Sequence, residues 1–130
     1  MTKNKYPMDI AMVSILVQDP VKAFQYYTEV LGFEEVMYDL DNHLAIVKST
    51  IVSGGAAILL EPSENGDFPI AKEYKTKIYE MGLPVISFSS ENLSETVKEL
   101  KSKGVKFKKD LTKTDWGYEA VFDDDNGNFI

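Results

Sequence analysis

The sequence of 130 residues contains no cysteine and a single histidine, His43. Without cysteine, the chain can form no disulfide, no cysteine nucleophile, no iron–sulfur cluster and no Cys/His zinc site. One histidine also excludes a metal site with two imidazole ligands inside one chain. Metal chemistry would therefore depend on carboxylate oxygens, with His43 as at most one further ligand.

Positive charge is also scarce. The chain has 14 Lys and Arg residues against 21 Asp and Glu residues, which gives a formal net charge of −7. A nucleic-acid-binding protein neutralises phosphates with a basic surface, and anionic membrane surfaces attract basic segments in the same way. The sequence therefore predicts neither nucleic acid nor a membrane surface as a partner.

Long hydrophobic runs are missing as well. The most apolar early stretch, residues 10–17, is too short to span a bilayer and lacks a small-residue cleavage site. A hydrophobic fraction of 44% and a length of 130 residues are typical of one globular domain. We therefore expect a single domain, residues 1–130, located in the cytoplasm.

Apolar runs and helix punctuation divide the chain into two halves and a connection. A strand, a helix and three strands are predicted over about residues 8–61, and the same order over about residues 83–130. The connection, residues 62–82, contains an extra amphipathic helix near 69–81. The turn at residues 125–127 predicts a returning strand, so the last strand looks cut short at Ile130.

The two halves form an internal repeat. Val13-Ser14-Ile15 aligns with Ile86-Ser87-Phe88, 73 positions later, and the helix-ending glycines Gly32 and Gly104 are 72 positions apart. Two copies of a unit are too few for a solenoid. They indicate two half-sheets that pack as a pair, because neither half covers its own sheet face.

Residues 13–33, VSILVQDPVKAFQYYTEVLGF, resemble the opening of vicinal-oxygen-chelate (VOC) proteins, the superfamily of glyoxalase I, bleomycin-resistance proteins and extradiol dioxygenases. Residues 100–107 and 121–128 resemble its closing signature. The resemblance implies an α+β fold in which two βαβββ modules form a cupped mixed sheet, and it implies a homodimer. It does not select a function, because this fold hosts isomerases, dioxygenases, transferases and drug-binding proteins.

The resemblance also implies four positions for metal ligands. Met12 and Val85 stand at the matched positions of the two modules, and the third position is Leu59 or Glu61, depending on strand register. The fourth would follow Ile130. Because Met12 and Val85 do not bind hard divalent metals, we expect no metal and no other cofactor, and we do not expect the glyoxalase I reaction.

Glu61 and His43 are the candidate catalytic residues. Glu61 ends an apolar strand, where desolvation in a cup would make its carboxylate a base, whereas a position in the loop would leave it solvated. His43 heads a strand after a turn and is either a proton carrier in the cup or an edge histidine. Both interpretations stay open for each residue.

The candidate ligand-binding residues are those expected on the inner face or rim of the cup: Met12, Ser14, Leu59, Val85, Ser87, Trp116 and Tyr118. Strand alternation places the two serines on the faces of Met12 and Val85. The two aromatic residues stack a planar ligand at the rim or pack in an interface or core.

Three functions are consistent with these observations. The first is a protein that binds or sequesters a small drug or metabolite, and the acidic composition suits a cationic or aromatic ligand. The second is a metal-independent lyase-like or isomerase-like enzyme for a small carbonyl or aromatic compound, with Glu61 or His43 transferring protons. The third is a metal enzyme that uses Glu61, a residue of the last strand and water.

Overall fold

The strands form one four-stranded sheet from the first half of the chain and one two-stranded sheet from the second half. The computed structural model describes residues 7–42, 44–51, 55–64 and 69–130. In chain order the elements are β1 (Met12–Val17), α1 (Pro20–Gln25), β2 (Glu34–Asp39), β3 (Leu44–Lys48), β4 (Ala57–Pro62), α2 (Pro69–Glu80), α3 (Leu93–Ser102), β5 (Phe107–Thr114) and β6 (Gly117–Phe122).

The larger sheet is mixed, as the sequence predicts. Its strand order is β1-β4-β3-β2, with β1 parallel to β4 and the other pairs antiparallel. A parallel pair needs a long crossover, and the segment from α1 to β3 supplies it. The α+β class and the order strand, helix, three strands are therefore confirmed for the first half.

The first helix begins where the sequence predicts. Asp19 accepts hydrogen bonds from the backbone N–H groups of Val21 at 3.0 Å and Lys22 at 3.3 Å, and Pro20 is the first helical residue. Such a cap stabilises a helix by about 1 kcal/mol. The helix continues as one π-helical turn, Tyr26–Val30.

The main core lies between this helix and one face of the four-stranded sheet. Ala23 and Tyr27 of the helical segment are fully buried against alternate residues of β1, β3 and β4: Ile15, Val17, Ala45, Val47, Ile58 and Leu60. Each large aliphatic side chain buried in this way contributes roughly 1.5–3 kcal/mol. Because the buried residues alternate, the residues between them lie on the opposite face of the sheet.

A second, smaller core lies under α3. Val105, Phe122 and Ile130 are buried there, and Ile86 packs against both cores. The predicted helix is confirmed as α3, which Asn92 caps by accepting a hydrogen bond from Glu95 N–H. Ile86 is therefore one of the residues that join the two halves.

The second half is predicted to begin with a strand, at residues 85–89, and this prediction is wrong. The segment contains no strand, since it makes one isolated bridge, Pro84 to Phe129, and one hydrogen bond from Val85 N–H to the Phe129 carbonyl at 2.9 Å. A strand needs a ladder of successive pairs. Here the pairing stops after one residue.

The helix predicted near 69–81 is confirmed as α2, but its orientation differs from the usual amphipathic pattern. Ile70, Tyr74 and Met81 are exposed by 72%, 62% and 69%, whereas Lys75 is only 6% exposed. The buried side of α2 is thus built around a lysine. In the part of the chain that the structure describes, no helix is long and apolar enough to cross a membrane.

Candidate functional site

The sheet face opposite α1, called the open face here, has an apolar centre. Ser14, Leu59, Ile46 and Met37 lie in register across all four strands. Met37 is 46% exposed, and Leu59 and Ile46 are half-buried. Since neighbouring strands are about 4.8 Å apart, the row is about 15 Å wide, and Leu59, Ile46 and Met37 form an apolar floor about 10 Å wide beside Ser14.

One end of the open face carries a neutralised pair of charges. Met12 pairs with Ala57 in the β1–β4 ladder, and Lys48 pairs with Glu34 in the β2–β3 ladder. The Lys48 ammonium lies 3.3 Å from the Glu34 carboxylate. This end therefore adds no net charge to the apolar floor.

The other end is acidic. Glu61 pairs with Leu16 and shares the face of Leu59, and Asp39 pairs with Leu44 two strands away. Asp39 accepts a hydrogen bond from the Asn42 amide at 2.7 Å. Glu61 is half-buried as a residue, and its carboxylate has neither an ion-pair partner nor a side-chain hydrogen bond within the described ranges.

The β1–β4 register bears on the third ligand position, Leu59 or Glu61, that the resemblance implies. Met12 is level with Ala57, whereas Glu61 is level with Leu16, about 13 Å further along the strands. Residues around Met12 thus offer one thioether and alkyl groups, which do not fit a hard divalent metal. Among the described residues, no group of three or more His, Asp or Glu side chains could hold a metal ion.

Four predicted site residues make no strand pair with this face among the described residues. Val85 and Ser87 are exposed and flank Ile86 in the segment bridged to Phe129. Trp116, 98% exposed, lies in the β5–β6 turn, and Tyr118, 63% exposed, follows it. No strand pairing of the described chain places these four residues in register with Ser14 or Leu59, and His43 lies outside the described residues.

Leu16, Met37 and Ile46 lie on the open face but were not predicted from the sequence as site residues. For Leu16 and Ile46 the signal was present as strand alternation, because each lies between residues that face the core. Met37 follows a register shift in β2, so simple alternation does not assign its face. The alternation became interpretable only with the register that aligns the four strands.

The structure also contains a buried polar cluster that was not predicted from the sequence. The loop of residues 123–128, called the closing loop here, places the fully buried Asp124 carboxylate beside the Tyr27 hydroxyl, which donates to it at 2.8 Å. Asp124 also accepts from the backbone N–H groups of Asn126 and Asn128 and from the Asn128 amide, at 2.8–3.0 Å. Burial raises the pKa of Asp124, and these hydrogen bonds oppose the rise.

The closing loop also holds α1 and α2. The Asn126 carbonyl accepts from the buried Lys75 ammonium at 2.6 Å, and the Asn126 side-chain oxygen accepts from Asp19 N–H at 3.1 Å. Burial lowers the pKa of Lys75, and the nearby Asp124 charge opposes this. The loop therefore has a structural role, since Asn126 contacts the start of α1 and Lys75 of α2, and the Asp124 carboxylate is hydrogen-bonded to Tyr27.

Two surface recesses compete with the open face. One, of about 330 Å³, runs along α2 and is lined by Pro69, Lys72, Glu73, Thr76, Lys77 and Glu80. The other, of about 90 Å³, is lined by Tyr26, Gly104, Lys106, Asp123 and Asp125. Both are lined mainly by charged or polar residues, and a small-molecule site is usually lined by apolar residues.

Comparisons with known proteins agree with the fold. The family model "Glyoxalase/Bleomycin resistance protein/Dioxygenase superfamily" matches residues 9–130. The chain is 40% identical over 126 residues to "Uncharacterized protein YurT" of Bacillus subtilis (strain 168), covering 95% of this chain and 96% of that protein.

Solved structures are similar over almost the whole chain. The crystal structure of UcmS2 is 26% identical with a TM-score of 0.79, covering 95% of this chain and 96% of its own. TnmS3, an antibiotic binding protein from Streptomyces sp. CB03234, is 19% identical with a TM-score of 0.72, covering 98% and 95%. At 19% identity, this second likeness shows the fold alone.

Proposed function

Because this chain belongs to the glyoxalase/bleomycin resistance protein/dioxygenase superfamily, we propose that it binds a small apolar molecule on the open face. The observation that carries the proposal is the row Ser14–Leu59–Ile46–Met37, in which Leu59 and Ile46 are half-buried and Met37 is exposed. Burying such surface under a ligand is favourable by about 25 cal/mol per Å². The antibiotic binding of TnmS3 is a property of that protein, and it is compatible with such a role here.

Binding is favoured over catalysis by the surroundings of Glu61. Its strand neighbours on the open face are Leu16 and Leu59, and proton transfer to a carbonyl compound needs a second group to stabilise the developing charge. The alternative of a lyase-like or isomerase-like enzyme using Glu61 or His43 therefore ranks second. Cytoplasmic location and homodimerisation belong to the same proposal.

The proposal is tested with the neutral fluorescent probe N-phenyl-1-naphthylamine. We expect saturable binding to the wild type and a loss of about tenfold or more in affinity in Met37→Asp, because a carboxylate then stands on the apolar floor and loses its solvation when the probe binds. Fluorescence titration measures both.

Met81→Asp is the matched control, since Met81 is also exposed but lies at the end of α2. Its affinity should equal that of the wild type. Equal affinity in all three proteins, or a loss confined to Met81→Asp, would overturn the assignment of the open face.

A further inference from the structure

The two ends of the open face differ in charge, and this difference limits which molecules the face can bind. At one end the Lys48 ammonium is neutralised by Glu34. At the other end Glu61 is half-buried and has no cation among the residues that the structure describes. A bound molecule thus meets an apolar floor that ends at two carboxylates, Glu61 and Asp39, of which Asp39 already accepts a hydrogen bond from Asn42.

Register and burial place the Glu61 carboxylate within reach of a ligand on the floor. Glu61 lies two residues from Leu59 on the same face, a separation of about 7 Å. A ligand that covers Leu59 and extends toward Leu16 would remove water from Glu61. A neutral or anionic ligand would then leave a desolvated, unpaired carboxylate, whereas a cation would compensate it.

We propose that the molecule bound on the open face is an amphiphilic cation, with its apolar body on the row from Ser14 to Met37 and its ammonium or amidinium group at Glu61. This inference rests on the proposed function and adds the charge of the ligand and the residue that selects it. Asp39, about 10 Å from Glu61 across the sheet, already accepts from Asn42 and is not needed.

The experiment compares two probes of equal shape, (2-naphthylmethyl)trimethylammonium and its neutral carbon isostere 2-neopentylnaphthalene. Naphthalene fluorescence anisotropy gives both dissociation constants at physiological ionic strength, where the screening length is about 8 Å. We expect the wild type to prefer the cation by about fivefold to tenfold, the range for one partly desolvated charge pair.

Glu61→Gln should reduce this preference to less than about twofold, because the cation loses its partner while the neutral isostere, freed from the cost of desolvating a carboxylate, binds as well as before or better. Glu35→Gln is the matched control. It removes the same charge from the same sheet, but Glu35 pairs with the core-facing residue Val47, so it lies on the α1 side. This control should keep the wild-type preference.

A second readout does not depend on any variant. In the wild type, nuclear Overhauser contacts should join the trimethylammonium protons of the bound probe to the Leu16 methyl groups. Equal affinities of the two probes for the wild type would overturn the cation inference and leave the proposed function intact. The same holds if the preference persists in Glu61→Gln. If neither probe binds the wild type, both the proposed function and the inference are wrong.

Discussion

At the scale of single residues, Asp124 shows how the protein stabilises a buried carboxylate. A fully buried carboxylate is costly unless it is hydrogen-bonded, and this one accepts four hydrogen bonds from Tyr27, Asn126 and Asn128. The same cluster acts on the tyrosines. Burial and the charges of Asp124, Asp125 and Asp123 raise the pKa of Tyr26 to about 12.

Tyr79 offers a testable case, because one hydrogen bond dominates its ionisation. Its hydroxyl donates to the Asp123 carboxylate at 2.5 Å, and this bond is the main cause that raises the pKa of Tyr79 to about 12. Asp123→Asn should therefore move the Tyr79 pKa back toward 10.0. Ultraviolet titration of tyrosinate, taken as the difference between each protein and its Tyr79→Phe counterpart, measures the shift.

Because the pKa of Tyr79 is raised in the folded protein, the Tyr79–Asp123 hydrogen bond contributes to stability in a pH-dependent way. The contribution of the Tyr79–Asp123 bond is fully present below pH 10.0 and is lost as the pH rises through about 12. Asp110→Asn, which removes an exposed aspartate paired with Lys101, serves as the control and should leave the Tyr79 titration unchanged. A wild-type Tyr79 that titrates at 10.0 would contradict the structure.

At the scale of elements, the first half was predictable because its signals are local. The cap at Asp19-Pro20 and the alternation of apolar residues in β1, β3 and β4 specify the elements without distant partners. The third ligand position was left open between Leu59 and Glu61 because it depends on how β1 pairs with β4. Alternation specifies which face each residue takes but does not by itself exclude a shift by two residues, so the register came only from the structure.

The elements that were wrongly predicted depend on distant partners. The composition of residues 85–89 is typical of a strand, but Phe129 forms only one isolated bridge there, with Pro84. The buried side of α2 depends on Lys75 and Tyr79 reaching the closing loop 44–51 positions away. Apolar spacing alone therefore selects the wrong side of α2.

The docking of α2 on the closing loop gives a prediction with a matched pair of glycines. Gly127 and Gly32 have φ values of +83° and +80°, but a Cβ at Gly127 would lie 1.9 Å from the Lys75 ammonium nitrogen, whereas a Cβ at Gly32 meets nothing. Both alanine substitutions should cost about 1–2 kcal/mol of backbone strain. Gly127→Ala should cost about 1 kcal/mol more, since it displaces a buried hydrogen bond.

Urea unfolding of Gly127→Ala and Gly32→Ala measures this difference, with the m-value checked for two-state behaviour. Equal losses in the two variants would show that Lys75 does not hold α2 on the closing loop.

At the scale of the whole molecule, many large apolar side chains are exposed. They include Met12 and Met37 on the open face and Ile70, Tyr74 and Met81 on α2. Exposed apolar surface of this extent is typical of association sites. Together with the homodimer implied by the resemblance, this predicts a dimer in solution.

Light scattering coupled to size exclusion tests the prediction at micromolar concentration. The expected mass is twice that of the 14.6 kDa chain. Met37→Asp and Met81→Asp, made for the binding experiment, separate the two surfaces, since a substitution at the subunit interface should lower the mass. A wild-type mass of one chain would refute the dimer.

The closing loop finally determines when the molecule can complete its folding. Its hydrogen bonds to Tyr27, Asp19 and Leu16 join residues 97, 107 and 112 positions apart. Contacts of such long range slow folding, because the chain between them must first be ordered. During synthesis on the ribosome, β1 and α1 emerge early, yet Tyr27 has no carboxylate partner until Asp124 has left the exit tunnel. The first half therefore cannot form all of its hydrogen bonds before the closing loop has been synthesised.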